Sequence, residues 1–164
     1  MRCFRTIIVL LLPFFLASCE GTTIGSSVPR LAVHLVIDTH EGEFVHFVPE
    51  AITTYIIADQ EGYHYNGRLV KARPEGTYAC GYGGVVVYIN INKGYDAYDL
   101  ACPHCALQGS CVPCEVDGFF ATCPKCGEQY DLASGTAAPQ QGIAKEPLLR
   151  LPLTNSNGRI TIHQ

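Results

Sequence analysis

Residues 101–132 read ACPHCALQGSCVPCEVDGFFATCPKCGEQYDL, and six of the chain's nine cysteines fall there in three C-x-x-C steps. The steps are Cys102 with Cys105, Cys111 with Cys114, and Cys123 with Cys126, and His104 stands inside the first. By spacing alone, the first and third steps fit the four-cysteine zinc pattern, in which two tight turns each present two thiolates to a tetrahedral ion. That reading makes Cys102, Cys105, Cys123 and Cys126 the ligands. An exported chain changes the weighting, because adjacent thiols outside the cytoplasm tend to oxidise.

Export is what the N-terminus suggests. Arg2 and Arg5 precede an apolar run over residues 7–16, and the run ends in Leu16-Ala17-Ser18-Cys19. A basic start, a short apolar middle and small residues before a cysteine are the parts of a secretory signal. Its end resembles the bacterial lipobox, where the peptide is cut before the cysteine and the cysteine sulfur carries the lipid. The expectation is a signal peptide over 1–18, lipidation of Cys19, a flexible tether over 19–30, and an exported lipoprotein held on a membrane of a bacterial cell envelope. Acyl chains, rather than a peptide span, would form the anchor.

Cleavage there leaves 146 residues with nine basic and fifteen acidic side chains, a formal charge of −6. One domain over 31–164 is the natural count. The acidic balance and the lack of a Lys/Arg cluster exclude a nucleic-acid partner. Apolar residues fall in short, often alternating runs at 31–37, 43–48, 52–57, 84–90, 95–100, 119–122 and 159–163, which predicts an antiparallel all-β domain. Asn66-Gly67, Asp117-Gly118 and Asn157-Gly158 are the turn signals. The stretch EAITTYIIA, residues 50–58, reads as a strand or as one or two helical turns. His34, His40, His46, His64 and His163 lack partners at ligand spacing and read as structural or surface residues. No nucleophile-elbow, zinc-protease, P-loop or dinucleotide motif occurs.

The residues around the cysteines are more specific than their spacing. Cys102-Pro103-His104 is a C-x-H step. Cys123-Pro124-Lys125-Cys126-Gly127-Glu128-Gln129-Tyr130-Asp131-Leu132 resembles the second cluster loop of the Rieske family. The likeness continues through Gly135, the segment GIAKEPL at 142–148 and the last strand, residues 158–162. It implies an antiparallel β-sandwich or barrel with a small two-loop cluster-binding part over about 99–135, holding a 2Fe-2S cluster. Carried over by position, Cys102 and Cys123 would ligate one iron and His104 the other. Cys126 stands where the family has its second histidine. A cluster with one ligand histidine would show a lowered potential with a single pH-dependent step.

Removing Cys19 and Cys3 leaves seven cysteines: Cys80, Cys102, Cys105, Cys111, Cys114, Cys123 and Cys126. A cluster on Cys102, His104, Cys123 and Cys126 leaves Cys80, Cys105, Cys111 and Cys114 for two disulfides. A zinc site leaves an odd thiol, as does a metal-free, disulfide-locked domain. Against the cluster, the signal lacks adjacent arginines and suggests an unfolded passage across the membrane. The resemblance implies a one-electron carrier with a redox protein partner at the membrane surface, and not an enzyme. The alternative is a zinc-binding or metal-free structural or interaction lipoprotein on the same fold. Dithiol exchange ranks below both, because no thioredoxin-like βαβ pattern surrounds a C-x-x-C step.

Overall fold

The computed structural model describes residues 26–164. The signal, Cys19 and most of the expected tether lie outside the described residues. The described residues form thirteen short strands, all paired antiparallel, as the alternating runs predict. They are β1 (Val33–Asp38), β2 (Tyr55–Ala58), β3 (Gly62–Tyr65), β4 (Arg68–Ala72), β5 (Ala79–Cys80), β6 (Val85–Ile89) and β7 (Tyr95–Asp99). After the short helix α1 (Pro103–Leu107) come β8 (Glu115–Asp117), β9 (Phe120–Thr122), β10 (Gln129–Asp131), β11 (Ala138–Gln141), β12 (Leu153–Ser156) and β13 (Arg159–His163).

Three sheets result, ordered β12-β13-β1-β5, β4-β3-β2-β6-β7 and β11-β10-β9-β8. The middle sheet packs on both faces, and β6 shows why its sequence, VVVYI, is apolar throughout. Val85, Val87 and Ile89 enter one core with Leu35, Ile37, Ile160 and Ile162 of the first sheet. Val86 and Tyr88 point the other way, into a second core with Tyr98, Tyr130, Leu132 and the cysteines. Strands buried on both faces read as continuous rather than alternating apolar runs.

Two of the turn signals close hairpins in which both central residues have positive φ. Asn66 and Gly67 (φ 45° and 81°) join β3 to β4, and Asn157 and Gly158 (φ 49° and 78°) join β12 to β13. Two expectations are corrected. Residues 43–48 form no strand: Gly42–His46 is a 3-10 helix. Phe44 and Phe47 are buried while Val45 and Val48 are exposed, so the apolar pair recurs at three-residue rather than two-residue spacing. Residues 51–54 turn, with Thr53 at φ 70°, and β2 begins only at Tyr55. The β3–β4 hairpin and the strands β8, β10, β11 and β12 are too short or too polar to stand out in the sequence.

Candidate metal centre

The first cysteine loop leaves the end of β7. Asp99 is buried, and its carboxylate accepts from the backbone N–H groups of Tyr82 (2.7 Å), Gly83 (2.9 Å) and Ala101 (2.8 Å). Burial pushes the Asp99 carboxyl above its usual range, against the lowering effect of those three donors. A Cβ on Gly83 would lie 2.3 Å from the Ala101 backbone nitrogen, so only glycine admits this approach. Residues 100–102 then pair with 112–114: Cys102 N–H donates to the Val112 carbonyl (2.9 Å) and Cys114 N–H to that of Leu100 (2.8 Å). Cys102 caps α1, with Pro103 at the first helical position, where its missing N–H costs nothing.

The second loop joins β9 to β10. Cys123 N–H donates to the Glu128 carbonyl (2.8 Å), Gly127 N–H donates to the Cys123 carbonyl (2.9 Å), and Gly127 takes φ +72°. Left-handed backbone directly after the second cysteine turns the chain back into β10.

These two turns bring four sulfurs together. The Sγ atoms of Cys102, Cys105, Cys123 and Cys126 all lie within 4.8 Å of one another. Cys102 and Cys126 are 3.6 Å apart, and Cys105 and Cys123 are 3.7 Å apart. Cys102, Cys105 and Cys123 are buried, and Cys126 alone reaches solvent. A tetrahedral ion with metal–sulfur bonds of about 2.3 Å requires sulfurs roughly 3.8 Å apart, so the donor set fits a metal with little adjustment.

His104, which the family correspondence makes a ligand, stands outside this group. Its Nε2 lies 3.1 Å from the Gln108 side-chain nitrogen on the outer side of α1. The cause is the helical turn that Pro103 starts. Residues three apart share a face, which carries Cys105 in beside Cys102, while Pro103 is buried and His104 turns outward. Cys105, a ligand in the four-cysteine set that spacing suggests and a disulfide candidate under the family correspondence, completes the group. Cys80, Cys111 and Cys114 are free thiols, and no disulfide links the described cysteines. Cys114 is buried beside the group without joining it. Burial first, then the four neighbouring sulfurs, push its thiol well up, so it remains protonated.

The four thiols influence one another strongly. Burial and the hydrogen bond to Cys123 raise Cys105 to about 11, and burial raises Cys126 well above its ordinary value. Cys123 is held below its ordinary value: burial acts upward, but the N–H groups of Cys126 and Lys125 and the thiols of Cys126 and Cys102 more than offset it. A bound cation would invert this balance and favour thiolates at all four positions.

Two supporting residues carried no sequence signal as such. The fully buried Tyr130 hydroxyl lies 3.4 Å from Cys102 Sγ. Glu128, buried at 1% exposure, accepts from the Ile143 N–H through Oε1 at 2.6 Å, which ties the 142–147 loop to the second cysteine turn. Both residues lie within the quoted loop match, where nothing in the pattern distinguishes a surface position from a buried one.

Fold and site together define an antiparallel β protein with a four-cysteine site of metal-holding geometry. No protein-family model matches the chain, and no curated protein matches it. Solved structures similar to it include the following three. A ferredoxin of Sphingomonas yanoikuyae B1 is 23% identical with a TM-score of 0.37, over 58% of this chain and 83% of its own. The complex of reduced oxygenase and oxidized ferredoxin in carbazole 1,9a-dioxygenase is 12% identical with a TM-score of 0.44, over 82% of this chain and 94% of the matched one. The quaternary ammonium Rieske monooxygenase CntA is 14% identical with a TM-score of 0.44, over 83% of this chain but 31% of its own.

Proposed function

We propose that this chain is a lipid-anchored, Rieske-like electron carrier whose two loops hold an iron-containing centre on Cys102, Cys105, Cys123 and Cys126. The observation that carries the reading is the convergence of these four sulfurs from two neighbouring loops of an antiparallel β domain. Four thiolates are a donor set for iron, alone or in a cluster, and for zinc. The closeness of all four to one another favours a single ion over a two-iron cluster, whose bridging sulfides would set the two thiolate pairs apart. Bound iron would supply a one-electron couple. The protein's own part is to fix the sulfurs, exclude water from three of them and leave Cys126 at the surface, where a partner can approach.

Zinc acting as a structural clamp is the second reading. It is favoured by the site's place in the second core, where Cys102, Cys105 and Cys123 pack among Val86, Leu100 and Leu132. Under either metal the donor set is the same, so metal content per chain in two variants tests it. Cys105→Ser should lose most of the bound metal, and His104→Ala should keep it. The opposite pattern would restore the ligand set that the family correspondence implies. Lipidation at Cys19, the envelope membrane and a redox protein partner complete the proposal. Fractionation of Cys19→Ala, which should leave the membrane or stop signal cleavage, tests the anchor.

A further inference from the structure

The tether enters the described part of the chain beside the metal centre. Ser27 donates through its backbone N–H (2.7 Å) and its hydroxyl (2.9 Å) to the two carboxylate oxygens of Glu146, and the next residue, Val28, is buried. Glu146 belongs to the 142–147 loop, whose Ile143 N–H is held by Glu128, two residues after Cys126. A continuous run of contacts therefore links the tether to the second cysteine turn.

The same loop forms one wall of a recess of about 260 Å³, and α1 forms the other with Pro103, His104 and Leu107. Leu107 and Ile143 both line it, and at 67% and 73% exposure they are the most exposed large apolar side chains among the described residues. Scattered exposed apolar residues need no explanation, but two adjoining ones of this exposure do. Lys145 shares the recess, and Lys125 projects from the second cysteine turn, bonded to the Ser110 hydroxyl at 3.1 Å.

We infer that the Leu107–Ile143 face seats on the lipid bilayer, with both side chains in the headgroup region and the four-cysteine centre held at the membrane boundary. The inference rests on the lipid anchor proposed above. Cys19 and Ser27 are eight residues apart in sequence. That length of chain reaches at most about 29 Å. The acyl chains thus hold this face, rather than the far end of the domain, next to the bilayer. Lys145 places positive charge beside the two apolar side chains, on a chain that is acidic overall, and the neighbouring Glu146 carboxylate is taken up by Ser27. A bilayer also fits two separate apolar side chains on a rim, since each can insert independently into the headgroup layer.

The chain contains no tryptophan, so single tryptophans report their own depth. Full-length lipidated protein carrying Leu107→Trp, Ile143→Trp or Leu69→Trp would be reconstituted in phosphatidylethanolamine/phosphatidylglycerol vesicles with brominated acyl chains. Leu69 lies on β4, at the opposite edge of its sheet from β7, four strand spacings or about 19 Å away. Quenching of twofold or more at positions 107 and 143, with emission at position 69 nearly unchanged, is the expected result. Protein that floats with the vesicles but shows no quenching at 107 and 143, or equal quenching at all three positions, overturns the inference and leaves the anchor standing. Protein that does not float overturns both.

Discussion

The hydroxyl of Tyr130 and the sulfur of Cys102 lie 3.4 Å apart with no solvent access to either residue. Tyr130 sits in β10, paired with Ala121 of β9, so it is held by the two strands that flank the second cysteine loop. Burial raises the phenol far above its ordinary value and the neighbouring Cys102 adds to that, so it stays protonated and is the donor toward a thiolate. A donor to a metal-bound thiolate stabilises the reduced centre, which carries more negative charge, more than the oxidised one. Tyr130→Phe should therefore lower the potential. A hydrogen bond to a charged group is worth about 1.5–3 kcal/mol, and only the difference between redox states counts, so a fall of tens of millivolts is expected by voltammetry.

His104 lies outside the sulfur group, so the potential should carry no imidazole-controlled step. Voltammetry across pH 5 to 9 should give a flat potential in that region, and His104→Ala should leave it unmoved. The family correspondence would have required one such step.

Metal binding should release protons. Cys105 at about 11 and Cys126, raised further, are protonated at neutral pH in the metal-free protein. Both must lose their protons to bind metal, so affinity falls as pH falls. Loading at pH 7 in weak buffer should release at least two protons per chain, read by an indicator dye. Release of fewer than one would contradict the four-thiolate donor set.

Gly83→Ala should destabilise the domain although Gly83 needs no unusual φ. The added methyl meets backbone at Ala101, which cannot move without shifting Cys102. Overpacking of this kind costs about 1–3 kcal/mol, read as a lower denaturation midpoint, and metal affinity should fall with it.

The strands that form both cores were legible because β6 and β7 carry the apolar runs of the middle sheet, and β1 and β13 those of the outer one. The Asn-Gly turns were legible because few residues tolerate two successive positive φ values. The 3-10 helix at 42–46 was not, because its alternation mimics a strand until burial shows which side chains point inward. At the site, Cys102, Cys123 and Cys126 belong to both expected ligand sets, the four-cysteine set from spacing and the set with His104 from the resemblance. The choice between His104 and Cys105 depended on whether the residues after Cys102 extend or coil. Pro103 is compatible with both, so local sequence could not decide it.

The central claim is that Cys102, Cys105, Cys123 and Cys126 hold one redox-active ion. Its most direct test is metal and acid-labile sulfide content, with a visible spectrum, of protein purified from its native host. One iron per chain, no labile sulfide, and a coloured oxidised form that bleaches on one-electron reduction are the expected result. One zinc per chain with no colour would contradict the electron-carrier reading, and two irons with two sulfides would contradict the single ion.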